Sequence, residues 1–167
     1  MSKIVEIRSG GQSGADRGAM DAARQCGVRV SGWCPAGGWA EDYPEPPGVL
    51  ALYPEMIETP SREVIQRTEW NIRDSTCSIV FDAGSADISP GTDAGYVFIE
   101  KYNIPSFRFA LGDAKEYDAE FKRACEWLRS LCDEAIVLGI GGPRASEYPG
   151  IYDISFNTTK ALLDEFA

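Results

Sequence analysis

Three short runs in the chain combine glycine with hydroxyl and guanidinium side chains. They are Gly10-Gly11-Gln12-Ser13-Gly14-Ala15-Asp16-Arg17, Ser89-Pro90-Gly91-Thr92, and Gly139-Ile140-Gly141-Gly142-Pro143-Arg144-Ala145-Ser146. Glycine, lacking a Cβ, lets backbone N–H groups come close to an anion, and a helix starting at the same point adds positive partial charge. Ser13, Thr92 and Ser146 can donate hydroxyl hydrogen bonds. Arg17 and Arg144 can each fork two donors onto an anion. We therefore expect Gly10, Gly11, Gln12, Ser13, Gly14, Gly91, Thr92 and Gly142 to wrap phosphate or oxo groups, with Asp16 and Ser146 beside them. Tight turns with surface arginines would explain any one run, but three at corresponding positions argue for a site. None carries the G-K-[ST] tail of a Walker loop or the G-x-G-x-x-G fingerprint, so ATPase and NAD dehydrogenase readings lose support.

Two further segments bear on a ligand. In Cys34-Pro35-Ala36-Gly37-Gly38-Trp39-Ala40-Glu41-Asp42, the two carboxylates could accept hydrogen bonds from an amino-substituted heterocycle and Trp39 could stack on it. The plainer alternative is a polar loop with a half-buried tryptophan. Arg67 and Asn71 are four residues apart and share one helix face, either a solvated face or a pair acting toward a ligand. Cys34 reads as a small buried thiol, and Cys26, Cys77, Cys125 and Cys132 as core residues.

These residues need elements to place them. A strand at 3–8 runs into the first glycine run, and a small-residue helix at 15–26 follows, stopped by Gly27. A second strand is expected at 28–33, then a long Gly/Pro-rich loop at 34–60 with room for a helical turn. Ser61 reads as the N-cap of a helix to about Asp74 that buries Val64, Ile65, Thr68 and Ile72. A buried strand at 76–82 precedes the Ser89-Thr92 run, which opens a helix at Thr92 through about Tyr102. A strand at 106–110, an amphipathic helix at 117–132, a strand at 134–140 and a last helix within 150–166 complete the chain. Strand and helix alternate five times, which requires parallel pairing. The expected fold is a Rossmann-like, doubly wound, mostly parallel sheet of about five strands with helices on both faces, as one domain over 1–167. Ligands of such sheets bind outside the carboxyl ends of the strands, where all three runs fall.

Composition narrows the chemistry. The net charge of −10 argues against nucleic acid or an anionic membrane as partner. There is no histidine in the 167 residues, which excludes Ser-His-Asp and Cys-His catalysis within this chain. No run approaches the roughly 18 apolar residues of a membrane span. The start reads straight into a strand without a signal-peptide layout, and the five cysteines include no C-x-x-C pair. We expect a reduced, cytoplasmic protein.

Taken in order, G-G-Q-S-G-A-D-R at 10–17, C-P at 34–35, A-E-D at 40–42, R-T at 67–68 with Asn71, G-T at 91–92, and G-P-R-A-S with P-G-I-Y within 142–152 resemble the putative molybdenum carrier family. These are circularly permuted relatives within a Rossmann-like nucleotide-binding superfamily, which includes lysine-decarboxylase-like proteins that cleave nucleoside monophosphates. The resemblance covers nearly the whole chain. It implies a Rossmann-like fold, homo-oligomers, and binding of molybdenum cofactor (molybdopterin), a pterin with a phosphate and a dithiolene-bound metal. Where the family has a lysine and an arginine after C-P, this chain has Ala36 and Gly38. Where a double glycine is usual, it has Pro90-Gly91. The related hydrolases place a catalytic glutamate after that run, and this chain has Asp93, Ala94 and Gly95. The expectation is a binding protein that shields an anionic, phosphorylated small molecule, with Arg17 and Arg144 supplying charge and Glu41 and Asn71 meeting the ring. The rivals are a nucleoside-monophosphate hydrolase acting through Asp93, Asp16 or Glu41, and a nucleotide-sensing regulator.

Overall fold

The computed structural model describes residues 2–131 and 134–166. In chain order the elements are β1 (Lys3–Arg8), α1 (Ala15–Gln25), β2 (Arg29–Ser31), β3 (Trp33–Cys34), β4 (Ile57–Glu58), α2 (Val64–Arg73), β5 (Cys77–Asp82), α3 (Pro90–Tyr102), β6 (Ser106–Ala110), α4 (Tyr117–Ser130), β7 (Ala135–Gly141) and α5 (Ile151–Glu165). Five strands form one parallel sheet in the order β2-β1-β7-β5-β6. The fold is Rossmann-like α/β. If β7 and α5 are imagined ahead of β1, that order becomes 3-2-1-4-5, the arrangement of a doubly wound sheet.

Burial explains why these runs are strands. β5 is apolar on both faces, and Cys77, Ile79, Val80 and Phe81 are all buried, as expected for a strand covered by helices on either side. One face carries α1, α5 and α4. Ala15, Ala19, Ala22 and Ala23 bring α1 close to its neighbours, and Ser155 of α5 donates to the Ala15 carbonyl at 2.6 Å. The Tyr117 and Thr158 hydroxyls share a hydrogen bond and Arg129 pairs with Glu165, which sets α4 beside α5. The opposite face carries α2 and α3, joined where Lys101 and Tyr102 meet Glu69. The chain leaves β1 toward the β2 edge and leaves β5 toward the β6 edge. A crevice therefore opens between them, over the end of β7.

Several expected boundaries move. The second strand splits, because Asn71 accepts the Trp33 N–H at 2.8 Å and donates to its carbonyl at 2.9 Å. That side chain replaces a sheet neighbour for Trp33, and β3 instead joins β4 in a separate two-stranded parallel sheet. The 34–60 segment is a packed structure, holding a 3₁₀ turn at Gly48–Ala51 and burying Val49, Tyr53 and Met56. Ser61 does not cap α2. It accepts the Glu63 N–H at 3.0 Å, and the helix starts at Val64. Ile65, expected in the core, is 47% exposed. α3 opens at Pro90, two residues early, with proline in the first turn where its missing N–H costs nothing. β7 runs one residue further than expected, to Gly141, and Cys26 is half-buried. Cys132 lies outside the described residues.

Candidate functional site

A cleft of about 110 Å³ lies at the carboxyl ends of β1, β7 and β5, between α2 and α3. Its floor is the Gly139-Ile140-Gly141-Gly142 run with Ser78 and Val80 of β5. Val64, Thr68 and Ile72 of α2 make one wall, and Ser89, Gly91, Thr92 and Gly95 the other. The residues of α2 that sequence periodicity assigns to a core face thus line the cleft, Ile65 excepted. Added Cβ atoms at Gly91 and Gly141 would meet nothing within 4 Å.

The β1 side is built around a buried ion pair. Arg67 Nη1 lies 3.3 Å from Asp16 Oδ2, with both side chains nearly enclosed. Gly10 makes room for it, because a Cβ there would sit 2.0 Å from that same nitrogen. The Asp16 carboxylate also accepts the Gln12 N–H at 3.2 Å. Burial pushes the Asp16 carboxyl up, opposed chiefly by the Arg67 charge and then by the Gln12 N–H. Burial likewise pulls Arg67 down while Asp16 holds it up and the nearby Arg144 charge lowers it further. A guanidinium stays protonated through any such shift at neutral pH. Gln12 uses its Oε1 twice, for the Ser13 and Glu41 N–H groups at 2.9 Å each. Its Nε2 is buried without a partner, as are Nε of Arg67 and Nε of Arg8, whose side chains also line the cleft.

The α3 side offers charge and helix end together. Pro90 brings no N–H, so Gly91 and Thr92 present the first amides of α3. The Ser89 and Thr92 hydroxyls share a hydrogen bond at 2.7 Å. Glu147 accepts from Ser89 at 3.1 Å and from the Arg144 N–H at 2.8 Å, tying the turn after β7 to the start of α3. The Arg144 guanidinium sits 5.3 Å over the Trp39 ring and forms no salt bridge among the described residues. Trp39 therefore stacks on Arg144 and is not itself part of the cleft lining.

Of the residues expected from sequence, Gly10, Gln12, Asp16, Arg67, Asn71, Gly91, Thr92, Gly142 and Arg144 line this cleft. Asn71 spends its amide on Trp33. The others lie on the far side of the turns. At Gly14, φ is +81° and a Cβ would be 2.6 Å from the Ala145 nitrogen, so the turns after β1 and β7 touch backbone to backbone. Glu41 clamps them. It accepts from the Ser13 hydroxyl, from the Ser146 N–H at 3.2 Å and from the Ser146 hydroxyl at 2.6 Å. Burial alone would push the Glu41 carboxyl up, but these hydrogen bonds and the Arg144 charge carry it below the usual range. Gly11 offers its carbonyl to Arg17 at 2.9 Å, and Arg17 also pairs with Asp42 at 2.9 Å.

Arg17, Ser13 and Gly14 line a larger, separate hollow of about 540 Å³ with Tyr43, Tyr53 and Tyr152. We assign the site to the smaller cleft, because the charges of the larger hollow are already matched. Arg24 pairs with Glu55, and both oxygens of Asp21 are taken by Tyr53 and Tyr152. Asp93 lines a third hollow with Asp82, Tyr96 and Arg108. Sequence reasoning missed Arg8 and Glu147, and it quoted Ser89 in its run without giving it a role. The alternation Glu6-Ile7-Arg8 in β1 was the one signal for Arg8, since it sets Arg8 on the face opposite the buried Ile7.

Among the described residues no helix is long and apolar enough to cross a membrane, and no group of three or more His, Cys, Asp or Glu could hold a metal ion. No curated protein matches the chain. A crystal structure at 1.45 Å resolution, of the "putative molybdenum carrier protein" from Syntrophus aciditrophicus SB, superposes with a TM-score of 0.79. The two are 32% identical over 99% of this chain and 96% of that one. The sequence profile of the circularly permutated YpsA SLOG family matches residues 7–165, so that β7 and α5, which complete the 3-2-1-4-5 order when placed first, lie within the match. The chain belongs to the circularly permutated YpsA SLOG family.

Proposed function

We propose that this protein binds and shields an anionic small molecule in the strand-end cleft, acting as a carrier of molybdenum cofactor. The observation that carries the reading is the Arg144 guanidinium, which makes no salt bridge among the described residues and lines the same cleft as the glycine-opened N-terminus of α3. A phosphate placed there would meet a forked cation and two helix-end amides at once. The apolar stretch between Val64, Ile72, Val80 and Ile140 suits a flat ring. The donors around the cleft fit a cargo rich in phosphate and oxo oxygens. Similarity to the Syntrophus protein supports molybdenum as the metal carried.

The carboxylates suit holding better than hydrolysis. Asp16 is paired with Arg67, Glu147 is held by Ser89, and Asp93 sits in the adjoining hollow. We also read the protein as a cytoplasmic homo-oligomer. The family resemblance supports the oligomer, and the free Cys26, Cys34 and Cys125 support a reducing compartment.

The test is direct binding of purified molybdenum cofactor in reducing, oxygen-free buffer. Saturable binding that excess phosphate or Arg144→Ala weakens is the expected result. Absence of cofactor binding, with base release from nucleoside monophosphates that Asp93→Asn abolishes, would replace the carrier by a hydrolase.

A further inference from the structure

Four buried side-chain polar atoms lack a hydrogen-bond partner among the described residues, and three of them belong to the wall of one cleft. All three are donors: Arg8 Nε, Gln12 Nε2 and Arg67 Nε. Gln12 is 95% buried by its 5% exposure, so its amide is not a surface group waiting for bulk solvent. Buried donors are ordinarily paired, and leaving one unmade is costly. A cluster of three at a ligand cleft is a reserve for an acceptor.

The acceptors at the same wall are already engaged. Asp16 takes Arg67 and the Gln12 N–H, Glu6 takes Arg8 at 2.9 Å, and Gln12 Oε1 takes two backbone amides. The buried side-chain atoms left without a partner on the β1 side are therefore all donors. The start of α3 follows β5, and the ends of β1 and β5 lie two strand spacings apart, with the end of β7 and Arg144 between them, close enough to Arg67 for its charge to be felt there.

We propose that the cleft grips its ligand at two acceptor groups: one at the start of α3, reached by Arg144 from the turn after β7, and a second, fully deprotonated oxyanion or oxo-metal group on Arg8, Gln12 and Arg67. This rests on the carrier reading and adds to it the chemistry of the ligand's other end. Two sources share the chemistry, an oxo-metal end and a second phosphoryl group. They differ in that molybdate is fully deprotonated at neutral pH, whereas inorganic phosphate retains a proton.

The test is calorimetric titration of the purified full chain with inorganic molybdate and, separately, with inorganic phosphate. The variants are Gln12→Glu and Arg144→Ala. Gln12→Glu keeps both acceptor bonds of Oε1 and turns only the orphaned donor into a carboxylate oxygen. Two molybdate ions per chain are expected in the unmodified protein, and one in each variant. Gln12→Glu should lower the second affinity at least tenfold and leave the thermal midpoint within a few degrees. Molybdate favoured over phosphate at that subsite identifies the oxo-metal end, and the reverse identifies a second phosphoryl group. One molybdate ion, lost in Arg144→Ala and untouched by Gln12→Glu, would overturn the second subsite while leaving the carrier reading in place. No anion bound by the unmodified chain would overturn both.

Discussion

Arg144 and Arg17 look alike in the sequence, each following a glycine run, but the structure separates their roles and so their mutants. The Arg144 guanidinium makes no salt bridge among the described residues; it sits over Trp39 and lends its charge to Glu41. A contact such as that over Trp39 is worth about 0.5–1 kcal/mol at an exposed site. Its charge-assisted bond to a bound anion would be worth about 1.5–3 kcal/mol. Arg144→Ala should therefore weaken ligand binding roughly 10- to 150-fold, while its thermal midpoint falls by no more than about 4 °C. Arg17 is the reverse. It is 10% exposed in its side chain, donates twice to the Gly11 carbonyl and pairs with Asp42. Truncating it strands a buried carbonyl at a cost of about 1–3 kcal/mol, read as a drop in midpoint with ligand affinity nearly unchanged in the folded fraction. The assay is cofactor binding by calorimetry paired with thermal unfolding of each variant. Equal losses of affinity in the two variants, or a larger midpoint drop for Arg144→Ala than for Arg17→Ala, would refute the assignment of sides.

Gly10→Ala should destabilise the protein by about 1–3 kcal/mol, measured by urea unfolding, because the new Cβ forces the Arg67 guanidinium off the buried Asp16 carboxylate, which keeps only the Gln12 N–H bond among those described above. A change under about 1 kcal/mol would mean that the pair can move without loss. The Glu41 clamp predicts a pH dependence. Its carboxyl is held below the unfolded value, so its stabilisation is present above about pH 4.3 and is lost as pH falls through the lower folded value. In unfolding series from pH 6 to pH 3 the unmodified chain should lose more stability than Glu41→Gln. Parallel curves would show that the clamp carries no charge-dependent stability.

Much of this was legible before any coordinates. The alternation of apolar runs and small-residue helices gave five parallel strands, and glycine at three strand ends marked the edge where the cleft lies. Less legible was which side of each turn a side chain takes. Arg17 and Arg144 each follow the last glycine of a run by two or three residues, yet only Arg144 enters the cleft, and Ser13, inside the first run, stays outside it. That choice depends on partners far away in sequence, Glu41 for Ser13 and Asp42 for Arg17. Ile65 was misplaced because α2 has only one face against the protein and its apolar side is shared between cleft and solvent. Glu147 escaped notice since a lone glutamate in a loop gives no hint that Ser89 and the Arg144 amide converge on it.

The insertion of the last strand between the first and the fifth has a kinetic consequence. The turns that touch at Gly14 and Ala145 join parts of the chain 132 positions apart, as the Ser13 to Ala145 bond records. Ile4 donates to the Phe166 carbonyl at 3.1 Å, so β1 and the end of α5 already meet. A chain re-ordered to start at β7 could keep these contacts while making them far more local. Folding rate falls as the mean sequence separation of contacts rises. The order found here therefore predicts slower folding than that of the re-ordered chain, and the cleft exists only once the two ends of the chain have met.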